Sequence, residues 1–575
     1  MLSNLHERIP QYIRGHKKDF LAFSIAFAFF IIFSIFSFLQ YYSLGTSAYD
    51  LGINAQSVYV FLHTGEFYTP LLNENILAQH FTIFKFTQVP IYYFFPSPLS
   101  LMIYEDIFIA MGGYIVYLIS IELLKEHIKS VKLLYLVSMG FLLAYEFSPF
   151  TESLVSFSFH MMAFLPFFFL LAFYAFLTER RVLQIISLAF VISIHANFIY
   201  LVAILLLYEF LFLHTSRGKR IGTWLSAKSK TTGIKNFAYF IIFIVILYGY
   251  LIFAGFMKLH FAGISSFSAF PTTGETGTPV NSPVALLLLL LHNPGEFANI
   301  IGTNAGEKIF YLNLLFGSNI YLPLFSPLSL ILLLPYIMYA MPSSYGAYYQ
   351  LGYMYTAMVV GAIYISAIIG TYNLISLGKY IYSHNKSIRL RAKKVSAKIP
   401  NGNAWVRVVS IIIIVVLVIS IPFGLLSPPT IQQTGQGTMN DIFEQHSDGA
   451  ASFLINVSHN LAPNSYLLTE NSLLPYFSND INAYSTPWCP GYYKILSEFR
   501  YIVIQNNSFW ARIGGNQSLQ SIVNNSSIIS NYTVIDSYAP ANIMVFEKKS
   551  DILASDNKIT TNPLKNINQS TWYKS

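Results

Sequence analysis

Tyr49-Asp50-Leu51-Gly52-Ile53-Asn54-Ala55-Gln56 opens the stretch that decides this fold, which runs on to His80-Phe81. It follows the first strongly apolar segment, residues 20–42, and carries Asp50, Gln56, His63, Glu66, Glu74 and His80. Most of the chain that follows, up to residue 426, is apolar enough to dissolve in hydrocarbon. Acids and histidines gathered at the mouth of a first membrane helix point to a site, because ionisable groups are costly near lipid. The plain alternative is a wet loop between two helices.

Composition sets the class. The 575 residues are 54% hydrophobic and only 10% charged, fewer charges than a soluble protein of this size carries. Repeated apolar runs of roughly 20 residues make a polytopic all-α membrane bundle. Residues 20–42 are too long for a signal-peptide core, and no small-residue cleavage site follows them. The single cysteine, Cys489, excludes an internal disulfide and a cysteine-built zinc site.

The net charge of +8 reports topology. Of 26 Lys and Arg in residues 1–426, 23 fall in segments 1–19, 125–132, 179–181, 214–235 and 378–407. That clustering is the positive-inside pattern, and it needs no nucleic acid as a partner. Membrane lipid is the partner it implies.

Alternating sides then assigns about eleven crossings, with a cytoplasmic N-terminus. These are 20–42, 98–124, 132–148, 161–178, 182–194, 198–213, 237–256, 307–323, 326–342, 352–377 and 408–426. Residues 43–97 form an external loop. Within it, 81–95 is apolar but broken by Lys85, Gln88 and Pro90, and reads as a juxtamembrane or re-entrant helix. Residues 257–306 form a second long external segment, with an apolar island at 284–292 too short to span.

Residues 1–426 thus make a membrane domain, and 427–575 an extracytoplasmic α/β domain beyond the cell membrane. The latter is polar and holds seven Asn-X-Ser/Thr sequons, at Asn456, Asn506, Asn516, Asn524, Asn525, Asn531 and Asn568. Such sequons make this domain a candidate glycoprotein surface. Asp441–Leu461 has helical spacing. Ser465–Thr469 and Tyr501–Ile504 read as strands, and Tyr532–Ile535 with Ile543–Phe546 as a terminal strand pair.

Ten of the 16 acids in residues 1–426 fall on the external side, with His63, His80, His160, His195, His260 and His292. Carboxylates and imidazoles can converge on a divalent cation, for which Asp50 and His80 are the candidate ligands. Alternatively, one carboxylate acts as general base towards a hydroxyl. Positive-inside bias also leaves acids outside by default, which accounts for Glu275 or Glu307. Asp50 stands apart because it follows the first helix immediately. The run Ser343 to Gln350, with Tyr345, Tyr348 and Tyr349, is dense enough in aromatic hydroxyls for sugar or isoprenoid contact, or forms an interfacial belt.

These motifs resemble those of a family of prokaryotic multi-pass membrane proteins known only as a domain of unknown function. Its pattern is a Tyr/Phe-Asp-Leu-Gly-Ile…Gln stretch, a His-Phe, and a Pro-X-Pro-Leu. Here these are Tyr49 to Ile53 with Gln56, His80-Phe81, and Pro96-Ser97-Pro98-Leu99. Phe157-Ser158-Phe159-His160, Pro323 to Pro327 with Leu334-Pro335, and Tyr348-Tyr349 with Tyr355 extend the match over about 50–380. The family usually has a Lys-Glu-Asp-like triplet where this chain has His195-Ala196-Asn197.

The family's plan is similar to that of the GT-C glycosyltransferases. That similarity implies an acid after the first helix acting as base or metal ligand, and a polyprenyl-phosphate sugar donor. Asp50 takes the acid's place. His80, Gln56, His160, Tyr348 and Tyr349 are the substrate-binding candidates. The competing reading is a non-catalytic envelope protein or a lipid or solute transporter.

Overall fold

The structure, a computed structural model, describes residues 17–72, 74–213, 232–262, 283–384, 449–463, 465–485, 498–505 and 529–549. It is mostly helical, with a small sheet near the C-terminus. Among the described residues, four helices are long and apolar enough to cross a membrane: Asp19–Tyr42, Pro98–Leu124, Ile244–Phe261 and Met354–Tyr380. Val131–Glu146 and Pro149–Ser156, bent by 41°, make a fifth if counted as one span. Met161–Leu177, Arg181–Ile194, Ala196–Phe212 and Ser329–Ala340 are apolar but shorter. Several of the expected crossings thus stand as apolar helices, some of them short, while the count of about eleven is not established among the described residues, and the segment 408–426 lies outside them.

The largest departure is at 307–342. A helix spans Ala305–Gly317, about 20 Å at the helical rise, short of the ~30 Å hydrocarbon layer. Ile320 and Tyr321 then turn left-handed at φ 52° and 54°. Two 3-10 turns, Leu322–Phe325 and Ser329–Leu333, precede the short helix Leu334–Ala340. Pro323 and Pro335 each begin a new turn because proline lacks the N–H that would continue the previous one. Apolarity was read correctly there, and continuity was not.

The helix Pro98–Leu124 is the centre of the bundle. Proline at its first turn fits a helix start, where the missing N–H is not needed. The helices Lys17–Tyr42, Val131–Glu146 and Leu165–Leu177 pack on it. Gly112 and Gly113 admit the second of these: a Cβ there would stand 2.1 Å from the Tyr145 hydroxyl or from Glu146 Oε1. Ser120 Oγ donates to Ser138 Oγ at 3.0 Å across the same interface, a small-residue contact typical of membrane helices. The faces of Lys17–Tyr42 bearing Phe20, Phe27, Ile31 and Ile35 stay exposed, as a lipid-facing surface does.

Residues 81–95 form a 3-10 turn, Ile83–Thr87, and a helix, Gln88–Phe94, at the same end of the bundle as Asp50. Tyr93, Phe94 and Phe95 are exposed, in keeping with a segment lying on the membrane surface.

In the C-terminal part, a helix Ala450–Asn460 accompanies a five-stranded sheet. Its strands are β3 (Leu467–Thr469), β4 (Ala483–Ser485), β5 (Tyr501–Gln505), β6 (Tyr532–Tyr538) and β7 (Ile543–Lys548). They lie in the order β4-β3-β5-β7-β6. β3 runs parallel to β4 and β5, while β7 is antiparallel to β5 and β6. A two-stranded ribbon, β1 (Tyr68–Thr69) and β2 (Glu74–Asn75), lies in the loop after the first helix. The expected terminal strand pair is β6 and β7. Of the sequons, Asn456 and Asn531 are exposed, and the other five lie outside the described residues.

Candidate functional site

Asp50 sits in a single π-helical turn, Ala48–Gly52, that joins the first membrane helix to the helix Ile53–Thr64. Such wide turns are rare and gather at functional sites. Neither this turn nor the helix after it takes a side-chain cap, so the carboxylate is not spent on capping. Its Oδ1 lies 3.7 Å from His160 Nε2, with the two side chains 14% and 17% exposed. That is too long for a hydrogen bond, so the two groups face one another without being bonded.

His160 is held at two points. Its own N–H donates to Glu105 Oε2 at 2.9 Å, and Glu105 is buried in the second turn of the central helix. The Met162 N–H donates to His160 Nδ1 at 3.1 Å, making the imidazole the cap of the 3-10 turn Met161–Phe164. Because Nδ1 accepts, the proton of the neutral ring is on Nε2. The ring therefore presents an N–H to Asp50.

The electrostatics follow from burial. Burial raises the Asp50 carboxyl from 3.8 to about 7. Burial, then His80 and Lys85, pull His160 down to about 3. The imidazole is thus neutral at physiological pH, and Asp50 titrates close to it.

On one flank lie more nitrogens. Lys85 is fully buried, and its Nζ donates to Asn54 Oδ1 at 2.7 Å. Asn54 Nδ2 donates in turn to the Asp50 carbonyl at 2.8 Å. Burial brings Lys85 down to about 7. His80, in the short helix Leu77–His80, stacks on His195 with ring centres 4.4 Å apart. The Asn197 N–H donates to His195 Nδ1 at 3.0 Å, so His195 also caps a 3-10 turn, Ala196–Phe198. Burial, then His80, Lys258 and His160, hold His195 well below the usual imidazole range. The membrane helix Thr232–Ala262 packs against Leu77–His80, with Phe81 meeting Phe253 edge-on at 5.8 Å.

The opposite flank is uncharged. Residues 309–378 contain no Lys, Arg, Asp or Glu. The turn Met354–Thr356 packs on the His160-capped turn. Phe157 lies between His160 and Tyr353, at ring distances of 6.0 and 6.2 Å. Tyr355 meets Tyr348 edge-on at 4.4 Å. Burial, then Tyr353 and Asp50, push the half-exposed Tyr345 phenol up to about 12.

The sequence candidates thus separate. Asp50 and His160 come together, with His80 beside them. Gln56 does not join them: it is fully buried and donates to the Asp480 and Ala483 carbonyls at 2.9 and 2.8 Å, a structural task. Tyr349 is buried too, accepting from Asn304 Nδ2 at 2.7 Å under the Lys308 ammonium. Tyr348 is buried, its hydroxyl 2.5 Å from that of Tyr339. Tyr345 is the exposed member of that run.

His63 and Glu66 are exposed at the far end of the helix Ile53–Thr64. Among the described residues no group of three or more His, Cys, Asp or Glu is placed to hold a metal ion. A metal held by Asp50 and His80 therefore finds no third ligand of these types there. Sequence reasoning named Lys85 only as an interruption of 81–95 and Glu105 only as one of ten external acids, and singled out neither as a site residue. The signal for Lys85 was its isolation, as one of three lysines outside the five basic segments of residues 1–426.

No curated protein matches the sequence. Among the solved structures that resemble it are two distant ones. ArnT from Cupriavidus metallidurans bound to undecaprenyl phosphate is 12% identical over 91% of this chain and 98% of its own, with a TM-score of 0.44. The Archaeoglobus fulgidus oligosaccharyltransferase in the apo form is 10% identical over 84% of this chain and 69% of its own, with a TM-score of 0.37. Both are too distant to carry an argument about this chain. The family model described as predicted membrane protein (DUF2079) matches residues 40–541, from just before the Asp50 turn to the start of β7. The chain belongs to that family of membrane proteins, as its opening motifs led us to expect.

Proposed function

We propose that the chain is a GT-C-like membrane glycosyltransferase that moves a sugar from a polyprenyl-phosphate carrier to a hydroxyl acceptor at the outer face of the cell membrane. The observation that carries this reading is the Asp50–His160 pair, set between a nitrogen-rich flank and an uncharged aromatic one. A carboxyl that titrates near 7 suits a general base at neutral pH.

In the proposed step the acceptor oxygen attacks the anomeric carbon while its proton passes to Asp50. The bond from that carbon to the phosphate oxygen breaks, and the electron pair leaves on the carrier phosphate. Configuration inverts. His160 Nε2–H faces the carboxylate and favours its ionised form. His80, with His195 beside it, stands where it can meet the phosphate. The lipid tail would enter along the helix Thr232–Ala262 and the exposed rings of Tyr93, Phe94 and Phe95. No step runs through a metal.

In the alternative, a non-catalytic envelope protein or a lipid or solute transporter, the same residues only bind. A screen of lipid-linked sugar donors with the purified chain in lipid vesicles separates the two. Transfer by the wild type, reduced about a hundredfold or more by Asp50→Asn with normal yield, is the expected result. Equal transfer by both proteins, or none from any donor, would overturn the reading.

A further inference from the structure

The π-turn that carries Asp50 is not held by the membrane helices alone. Ala48 N–H is shared between the Asn471 carbonyl and Asn471 Oδ1, both at 2.8 Å. Gly52 abuts Leu474. Gln56 donates to the Asp480 and Ala483 carbonyls. The Tyr476 hydroxyl donates to the Tyr41 carbonyl, with the two rings 4.8 Å apart. All of these partners lie in the segment that runs from the end of β3 to Ala483, the first residue of β4.

We propose that Asn471 and Leu474 are positioning residues for Asp50, so that the sheet domain is a working part of the membrane site. This rests on the reading of Asp50 given above. Asn471 fixes the backbone two residues before the carboxylate, and Leu474 fixes it two residues after. Both are buried, so the contacts exclude water and lose little to exposure.

Gly52 is the telling residue. It has φ −60° and ψ −49°, ordinary right-handed helical angles that any residue adopts. Backbone freedom is therefore not why glycine stands there. Space is: a Cβ would lie 3.2 Å from Leu474 Cδ2 and 3.5 Å from its Cγ. The glycine of the Tyr-Asp-Leu-Gly motif is the seat of a side chain from a residue more than four hundred positions later. With Asp50 Oδ1 already 3.7 Å from His160 Nε2, a shift of a few tenths of an ångström at Gly52 would lengthen an approach already past hydrogen-bond range, and rate is sensitive to such misplacement.

The test uses the full chain in detergent and a compensating pair of substitutions. Gly52→Ala crowds Leu474 without straining the backbone. Amide hydrogen exchange over residues 47–52 should quicken about tenfold or more, as a local opening becomes easier. Transfer should fall by a similar factor, and the pH midpoint of the Asp50 carboxyl should move away from about 7. Adding Leu474→Ala should reverse all three changes. Leu474→Ala alone, which adds no bulk, should raise exchange at 47–52 and is the companion should Gly52→Ala fold poorly.

Unchanged exchange and an unchanged midpoint in Gly52→Ala and in Leu474→Ala would overturn the proposal. So would effects of Gly52→Ala that the second substitution leaves uncorrected. Exchange and midpoint behaving as stated while the wild type uses no donor would support the positioning and sink the transferase reading instead.

Discussion

Two histidine-capped turns, at His160 and at His195, are built alike and placed differently. Each follows a serine and an apolar residue: Ser158-Phe159-His160 and Ser193-Ile194-His195. Each histidine has an extended backbone, accepts an N–H from two residues on at Nδ1, and starts a 3-10 turn that leads into an apolar helix. The shared cap leaves each neutral ring with its proton on Nε2. His160 shows that proton to Asp50, inside the bundle. His195 instead stacks on His80, beside the membrane helix Thr232–Ala262. One local device thus serves two surroundings, and the surroundings decide the chemistry. In the function proposed above, the inner copy serves the base, and the copy beside Thr232–Ala262 serves the carrier phosphate.

Asparagine tests that division, since it caps at least as well as histidine but cannot reach where Nε2 reaches. His160→Asn should lower the rate of transfer by about tenfold or more at neutral pH while the chain still folds, because the Asp50 anion loses a facing donor. His195→Asn should leave the turnover rate nearly intact and raise the KM for the lipid-linked donor by about threefold to tenfold, the scale of one lost polar contact. A reversed pattern would dissolve the comparison. Alanine at either position should cost about 1 kcal/mol of stability, the ordinary value of a cap, and about the same at both. Melting temperatures in one detergent would show it.

Stability carries a signed pH dependence as well. The folded Asp50 carboxyl titrates at about 7 against an ordinary 3.8, so folding favours its protonated form. Asp50 should therefore subtract stability as pH rises from about 4 through 7, while His160, pulled down to about 3, adds stability as pH rises towards its ordinary 6.5. Asp50→Asn lacks the first of these slopes, so its advantage in melting temperature should grow over this window and then level off.

Much of this was legible in the sequence, for reasons that can be named. Helix Pro98–Leu124 was legible to the residue because a long apolar run, broken only by Glu105, Asp106 and Glu122 among charged residues, begins at a proline suited to a first turn. β6 and β7 were legible as β-branched and aromatic runs either side of Ala539-Pro540-Ala541. Asp50 stood out by position. The failures have a common physical cause: hydropathy measures what a segment dissolves in, and says little about where its hydrogen bonds go. Residues 309–342 carry no charge, yet the two helices expected at 307–323 and 326–342 are cut short, the first ending at Gly317 and the second beginning only at Leu334. Lys85 was read as an interruption, although a buried lysine donating to Asn54 completes the turn. Gln56 looked like a substrate contact because it is polar and close to Asp50. Its partners Asp480 and Ala483 lie 424 and 427 residues away, a distance no local pattern spans. The second histidine cap escaped because the resemblance between the two turns is three residues long.

The central claim is that Asp50 is a carboxyl tuned towards neutrality and facing His160. An infrared difference titration of wild type against Asp50→Asn tests it without any donor, by isolating the one carboxyl band that the substitution removes. The account predicts a midpoint at about 7, shifted upward in a His160→Asn background. A midpoint near the ordinary 3.8, unmoved by His160→Asn, would contradict it.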